Sequence, residues 1–486
     1  MLVKRKAVSI FLVIGCLGVI AWAGQSQPVT AVQVAAWLAA GVPQARLARI
    51  VQERGLSGVS RRDLDRLQTA GATGNLLRTL RQMSPAAAKA RPPIPAQLLQ
   101  AAADARAQLY HQAELDLRPL ARADPQNAVL HGALGSMLIR EEQWDDAYEE
   151  ITRATELMPE LPENHSNLAY IFYRQDDGPN AIAEARTALS LDPQNAEAYQ
   201  FLGLALYSTG QYGAAVHAFA ESLERDPENA DSYYDMGIAL HGQENLPAAV
   251  AAYRRAIRLR ADFWEAHSNL ALVLHEQNRL EEAIAEYSEA RRLAPGEASV
   301  QNNLANTYCD EGNFDAAERE LRQLYSDHPE WQQGHGCLAR AYIARKNYGK
   351  AIGELQLAME QNPAGSAEHR MLGQALLLND RLEDGVRELR LAVTLDPDSD
   401  AAHQGLGTAL FRLQNLAAAE KEFREAVRLN STSDNHYALA ACLMAMKRND
   451  EALIELDAAA RLDPQRSIYR ARREEILKMM KEPAAR

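Results

Sequence analysis

The feature that most constrains this chain is a segment that keeps returning. ENHSNLAYIFYRQ begins at Glu163, EAYQFLGLALYST at Glu197, DSYYDMGIALHGQ at Asp231, EAHSNLALVLHEQ at Glu265, SVQNNLANTYCDE at Ser299 and DAAHQGLGTALFR at Asp400. A pitch of about 34 residues is the mark of stacked helix-turn-helix units, each too small to bury its apolar face alone. Such stacking lets 486 residues form one long body instead of several separate cores. A hydrophobic content of 47% supplies that core, with Ala, Leu and Gly making the close helix contacts and aromatics at only 6%.

With Ile94 as position 1, repeats start at 94, 128, 162, 196, 230, 264, 298, 332, 366, 400 and 433. Position 8 is small from the second repeat onward (Gly135, Ala169, Gly203 through Ala440), and position 20 is small throughout (Ala113, Ala147, Ala181 through Ala452). Position 32 is proline in nine repeats, with Ala261 and Ser431 in the other two. This register resembles the tetratricopeptide repeat family over residues 94–466. The resemblance implies an all-α fold, a right-handed superhelical solenoid of about eleven repeats, with first helices lining a concave groove. Pro119 inside the second helix of repeat 1 suggests a frayed cap, and the short step at Ser431 suggests a kink. Residues 467–486 read as a capping helix and tail, with Ile468, Ile476, Leu477 and Met480 at helical spacing.

The start of the chain reads as an export signal or membrane anchor, residues 1–23. Lys4, Arg5 and Lys6 precede an apolar run, and Ala21-Trp22-Ala23 before Gly24 fits a cleavage site. Cys16 loosely fits a lipoprotein box, but the apolar residues that follow it speak against one. The expected location is periplasmic or cell-envelope, with any membrane attachment through residues 7–23. Cys309, Cys337 and Cys442 are far apart and lack C-x-x-C spacing, so no disulfide framework, zinc ribbon or haem site is expected.

Residues 24–83 read as a duplicated small helical module. Trp37 to Val42 with Leu47 is echoed by Leu67 to Ala72 with Leu77, and in each half Gly41 or Gly71 suits a left-handed helix stop. It is similar to small modules ahead of repeat arrays in exported bacterial proteins. The Pro/Ala-rich stretch 84–93 reads as a spacer that lets the module move relative to the array. Residues 31–93 hold ten Lys or Arg against three acids, whereas 94–486 hold 39 against 62. So acidic an array lacks the basic face that nucleic acid needs. The basic module is left with three roles: solvated surface, contact with a phosphate or lipid surface, or folding back on the acidic array.

Position 4 is histidine in His131, His165, His267, His335, His369, His403 and His436, and tyrosine in Tyr199 and Tyr233. The alternation reads as a half-buried ring packing between repeats. His241 and His275 fall at position 12 on adjacent repeats, where the separation is long for one metal ion even with Glu276, so no metal or other cofactor is expected. No phosphate loop, nucleophile elbow, HExxH helix or dinucleotide turn is present, and the chain reads as non-enzymatic. HSNLA and NNLAN resemble the asparagine-bearing repeats of the protein O-linked sugar transferase. Only about twenty residues follow the last repeat, so groove without catalytic domain is expected.

The family resemblance places positions 2, 5, 6, 9, 12 and 13 on the groove. They give an aromatic stretch, Tyr170, Tyr173, Arg174, Phe201, Tyr207 and Tyr234, beside an amide and charged stretch, Asp235, Asn269, Asn302, Asn303, Asn306, Asp310, Arg340 and Arg370, then Phe411 and Arg412. Rings offer contact area at low entropy cost, and amides can pair with extended peptide backbone. A scaffold that holds a protein or extended peptide is the expected function. A carbohydrate-binding or polysaccharide-export component is the alternative, because tyrosine-rich grooves also stack on sugars.

Overall fold

The computed structural model describes residues 28–57, 59–84 and 94–481. It contains twenty-seven helices and one two-residue parallel strand pair. The expected signal or anchor, Cys16 and nearly all of the spacer lie outside the described residues. No helix among the described residues is long and apolar enough to cross a membrane. Where the sequence reading expects one long body, the chain divides into two compact units, residues up to 227 and residues from 228.

First helices begin where the register puts them, at Ala128, Pro162, Ala196, Ala230, Trp264, Ala298, Ser366, Asp400 and Ser433. Pairing within a repeat is set by a small-to-large contact between positions 8 and 24. A Cβ added to Gly203 would sit 2.5 Å from the Phe219 ring, and one on Gly237 2.5 Å from Tyr253; both rings are fully buried. The position-20 alanines from Ala113 to Ala351, with Ala419 and Ala452, are wholly buried, so the two helices approach to near backbone contact. Position 15, in the turn between the helices, is left-handed in every repeat. It is glycine only at Gly210 and Gly312, and Gln108, Glu142, Asp380 and Lys447 are among nine other residues held at φ near +60°.

Repeat 8 departs from the register. Its first helix is the short His335–Ala344, preceded by Gly334 at φ +103°, and Tyr325 stacks on His335 at 5.2 Å. Here Cys309 and Cys337 form a disulfide, which corrects the sequence expectation. They occupy position 12 of repeat 7 and position 6 of repeat 8, on first helices that lie side by side. Contact between repeats therefore joins cysteines that no local motif connects. Cys442 is free and buried.

The module has four helices: α1 (Ala31–Ala39), α2 (Gln44–Arg54), α3 (Arg61–Thr69) and α4 (Gly74–Met83). Thr30 with Gln33 and Ser60 with Asp63 form capping boxes that start α1 and α3. Gly41 at φ +79° and Gly71 at φ +112° follow their ends. β1 (Val29–Thr30) pairs with β2 (Leu56–Ser57), a contact no alternation announced. Gln44 joins the two hairpins, donating to the Gly71 carbonyl at 2.8 Å and accepting from Thr73 N at 2.7 Å.

The module packs against the first repeats. Val34, Trp37, Leu47 and Leu80 belong to the same core as Leu98, Leu134, Ile151 and Ile171 of repeats 1 to 3, and α1 packs against the first helices of repeats 1 and 2. Every residue of Ala128–Ile139 is buried, because α1 covers a face that would otherwise meet solvent. Arg46 Nε lies 3.3 Å from Glu163 and 3.1 Å from Asp192, and Arg49 reaches Asp192 at 3.3 Å. Burial pushes the Glu163 carboxyl above its ordinary value, against the pull of Arg46. Basic module and acidic repeats thus meet in a partly buried ion cluster.

Candidate functional site

Within each unit first helices of successive repeats touch, repeats 2 to 4 in the first unit and repeats 5 to 8 and 9 to 11 in the second, and the expected site residues are carried on first helices. In the N-terminal unit, Tyr170, Tyr173 and Phe201 are half-buried and Arg174 is exposed. Tyr170 stacks on Phe201 at 4.8 Å and on Tyr173 at 6.1 Å. Arg174 Nη1 donates to the Tyr170 hydroxyl at 3.3 Å. Its guanidinium also lies 4.4 Å from the centre of the Trp144 ring, which meets Tyr170 edge-on at 6.0 Å. Trp144 is the member that sequence reasoning missed. It stands at position 17, the start of a second helix, where the turn brings it beside position 9 of the next repeat; a tryptophan at a position that is otherwise Tyr, Phe or Leu, with Gly178 and Asn449 as exceptions, was the available signal. Tyr207 pairs instead with Tyr212, 5.5 Å away.

In the C-terminal unit most of the expected polar face is paired with itself. Tyr234 packs on Phe263 at 4.8 Å, and its hydroxyl accepts from Asn269 Nδ2 at 3.1 Å. Asn302 is buried. Asn303 is hydrogen-bonded with Tyr287, whose hydroxyl burial pushes above its ordinary value. Asp235, Asn306 and Arg370 are half-buried. Arg340 donates to Asp310 at 2.6 Å and to the Cys309 carbonyl at 3.1 Å. Burial pushes the Asp310 carboxyl up, but Arg340 and His275 outweigh it and hold it below its ordinary value. His275 contacts Asp310 at 2.8 Å and His241 contacts Glu276 at 2.9 Å, so each position-12 histidine bridges to a carboxylate on the following repeat. Arg412 similarly reaches back to Asp380 at 2.8 Å.

The described residues hold one further group with metal-ligand character. His111 Nδ1 lies 3.3 Å from Glu114 and 3.4 Å from Glu141. Glu114 also accepts from Arg118 at 2.7 Å, and that positive charge opposes a cation there. Chemically, the aromatic cluster presents ring edges and a guanidinium over a small area, an arrangement suited to holding a segment by packing and hydrogen bonds.

Comparison with known proteins bears on the family. A tetratricopeptide repeat model matches residues 166–230, 202–262, 234–298, 370–434 and 405–467. A second tetratricopeptide repeat model matches 274–341 and 308–376, so the two leave no gap from 166 to 467. No curated protein matches by sequence. Among solved structures, the chain is similar to the APC/C hetero-tetramer Cut9–Hcn1 (13% identity, TM-score 0.45, 79% of this chain and 89% of that one). It is also similar to yeast Tom70 (15%, 0.37, 77% and 92%). A third is YrrB, described as a TPR protein with an unusual peptide-binding site (26%, 0.34, 40% and 97%). Register, helix pairing and family models agree, and the chain belongs to the tetratricopeptide repeat family.

Proposed function

We propose that the chain is an exported, non-enzymatic scaffold that recruits a protein partner, holding an extended segment of it in a concave groove formed by its first helices. The observation that carries this reading is the cluster Trp144, Tyr170, Tyr173, Arg174 and Phe201, large side chains gathered from the first helices of repeats 3 and 4 and the start of the second helix of repeat 2 and left partly open. A monomeric surface gathers rings in this way chiefly where it binds. Export is supported by the leader-like first 23 residues and by the Cys309–Cys337 disulfide, which a reducing cytosol would not maintain. The family fold supports the scaffold role.

A sugar-binding groove needs an open ring face for stacking. Phe201 covers one face of Tyr170 and Arg174 lies over Trp144, which reduces the open ring area for sugars. The test is a crosslinking pull-down from envelope fractions with the intact chain and with a Tyr170→Ala, Tyr173→Ala, Tyr207→Ala variant shown to melt normally. Partners recovered only with the intact chain are expected. Identical partner sets from both would refute the aromatic site, and glycan-array binding lost in the variant would turn the reading to carbohydrate.

A further inference from the structure

The position-4 histidines have a partner that the repeat register alone conceals. Nδ1 of His131, His165, His267 and His436 lies 2.6 Å from Glu150, Glu184, Glu286 and Glu455 respectively. His335, His369 and His403 meet Glu354, Glu388 and Glu422 at 2.7 Å. Each glutamate is nineteen residues on, at position 23 of the same repeat. Where position 4 is Tyr199 or Tyr233, position 23 is Ala218 or Ala252, whereas repeat 7 keeps Glu320 opposite Gln301.

In five repeats the other ring nitrogen is also engaged, at His436 by the Ser431 hydroxyl at 2.8 Å and in the other four by a backbone carbonyl. Nε2 of His131, His165, His369 and His403 faces the carbonyl of Pro125, Pro159, Pro363 and Pro397 at 3.3, 2.8, 3.1 and 3.1 Å. Each of these prolines closes the preceding repeat. Carbonyls and carboxylates only accept, and a neutral imidazole has a single N–H to give. A ring between two acceptors satisfies both only as imidazolium, which donates from both nitrogens. For His165 the Glu184 hydrogen bond raises the ring's pKa above its ordinary value and outweighs burial.

We propose that the His165–Glu184 pair is a proton-holding clamp that ties repeat 3 to the closing proline of repeat 2, so that the folded array retains a proton an unfolded chain has released and loosens as the medium turns alkaline. The surroundings fit retention: Glu184 is the charged group acting on the ring, and position 26, one turn beyond that glutamate, is the neutral Thr187. The sign follows from linkage: a proton held more tightly in the folded state gives stability that is complete below the unfolded histidine value of about 6.5 and is lost as pH rises through the folded one.

The test measures proton release on denaturant unfolding of the full chain near pH 7.5, in weak buffer with an indicator dye. The intact chain is compared with His165→Tyr/Glu184→Ala, the combination repeats 4 and 5 already carry. The expected result is that the variant releases up to one proton fewer, and that its unfolding constant rises less steeply with pH, by up to about tenfold per pH unit. Equal release from both chains would overturn the proposal. Should the variant fail to fold, ring ¹⁵N spectra of the intact chain decide: an imidazolium at His165 at pH 7.5 supports the clamp, and a ring already neutral at pH 7 overturns it.

Discussion

Replacing Arg46 with alanine tests whether the N-terminal module is fixed to the repeats. The Arg46 side chain is 16% exposed, Glu163 13% and Asp192 7%, so removing the guanidinium leaves two nearby carboxylates with little water. Breaking such a pair from one side costs roughly 3–5 kcal/mol. Arg49, 41% exposed, still reaches Asp192, which lowers the expected loss to about 2–4 kcal/mol. Because Glu163 already sits above its ordinary value and loses its neutralising partner, it takes up a proton as pH falls, so the loss is larger at pH 7 than at pH 5. Adding Glu163→Gln and Asp192→Asn should recover much of the stability. The assay is hydrogen exchange across residues 31–83 together with denaturant unfolding, read at both pH values. If Arg46→Ala changes stability by less than about 0.5 kcal/mol and leaves exchange in α1 to α4 untouched, the ion cluster does not hold the module and the reasoning fails.

Further outcomes follow from the same structure. Cys309→Ser/Cys337→Ser, or reduction of the intact chain, should destabilise the C-terminal unit by about 3–4 kcal/mol for a closed loop of 28 residues; an unchanged melt with and without reductant would contradict the disulfide's role. Gly203→Ala places a methyl against the buried Phe219 ring and should cost about 1–3 kcal/mol, whereas Gly349→Ala, with open space around it, should be neutral or slightly stabilising in the same denaturation assay. Asp380→Gly, at a left-handed turn position, should raise stability by up to about 1 kcal/mol; a loss would show that Asp380, through Arg412, matters more than its backbone strain.

Much of the architecture is visible in the sequence because the repeat states it eleven times. The small residues at positions 8 and 20 and the proline at 32 fix helix pairing and helix ends without any long-range information. Contacts made once are different in kind. The Cys309–Cys337 bond, the Arg46–Glu163–Asp192 cluster and the packing of Trp37 into the core of repeats 1 to 3 depend on which surfaces the stack brings together. The ring at position 4 is readable as a packing residue, but its glutamate is not, since nineteen residues and a turn separate them. Of the candidate site, Tyr170, Tyr173, Arg174 and Phe201 come together as a cluster, and Trp144 joins it from the neighbouring turn. The amides Asn269 and Asn303 are instead engaged by Tyr234 and Tyr287, because a face of adjacent helices satisfies its own polar groups where it can.

The central claim is that partners are held on the first-helix face. A photo-crosslinking residue placed at Tyr173, compared with one at the exposed Thr187 on the second helix of the same repeat, tests it most directly. The expected result is a discrete crosslinked protein from position 173 that is absent from 187 and is lost when Tyr170→Ala is added. Crosslinks of equal strength from both positions, or from 187 alone, would contradict it.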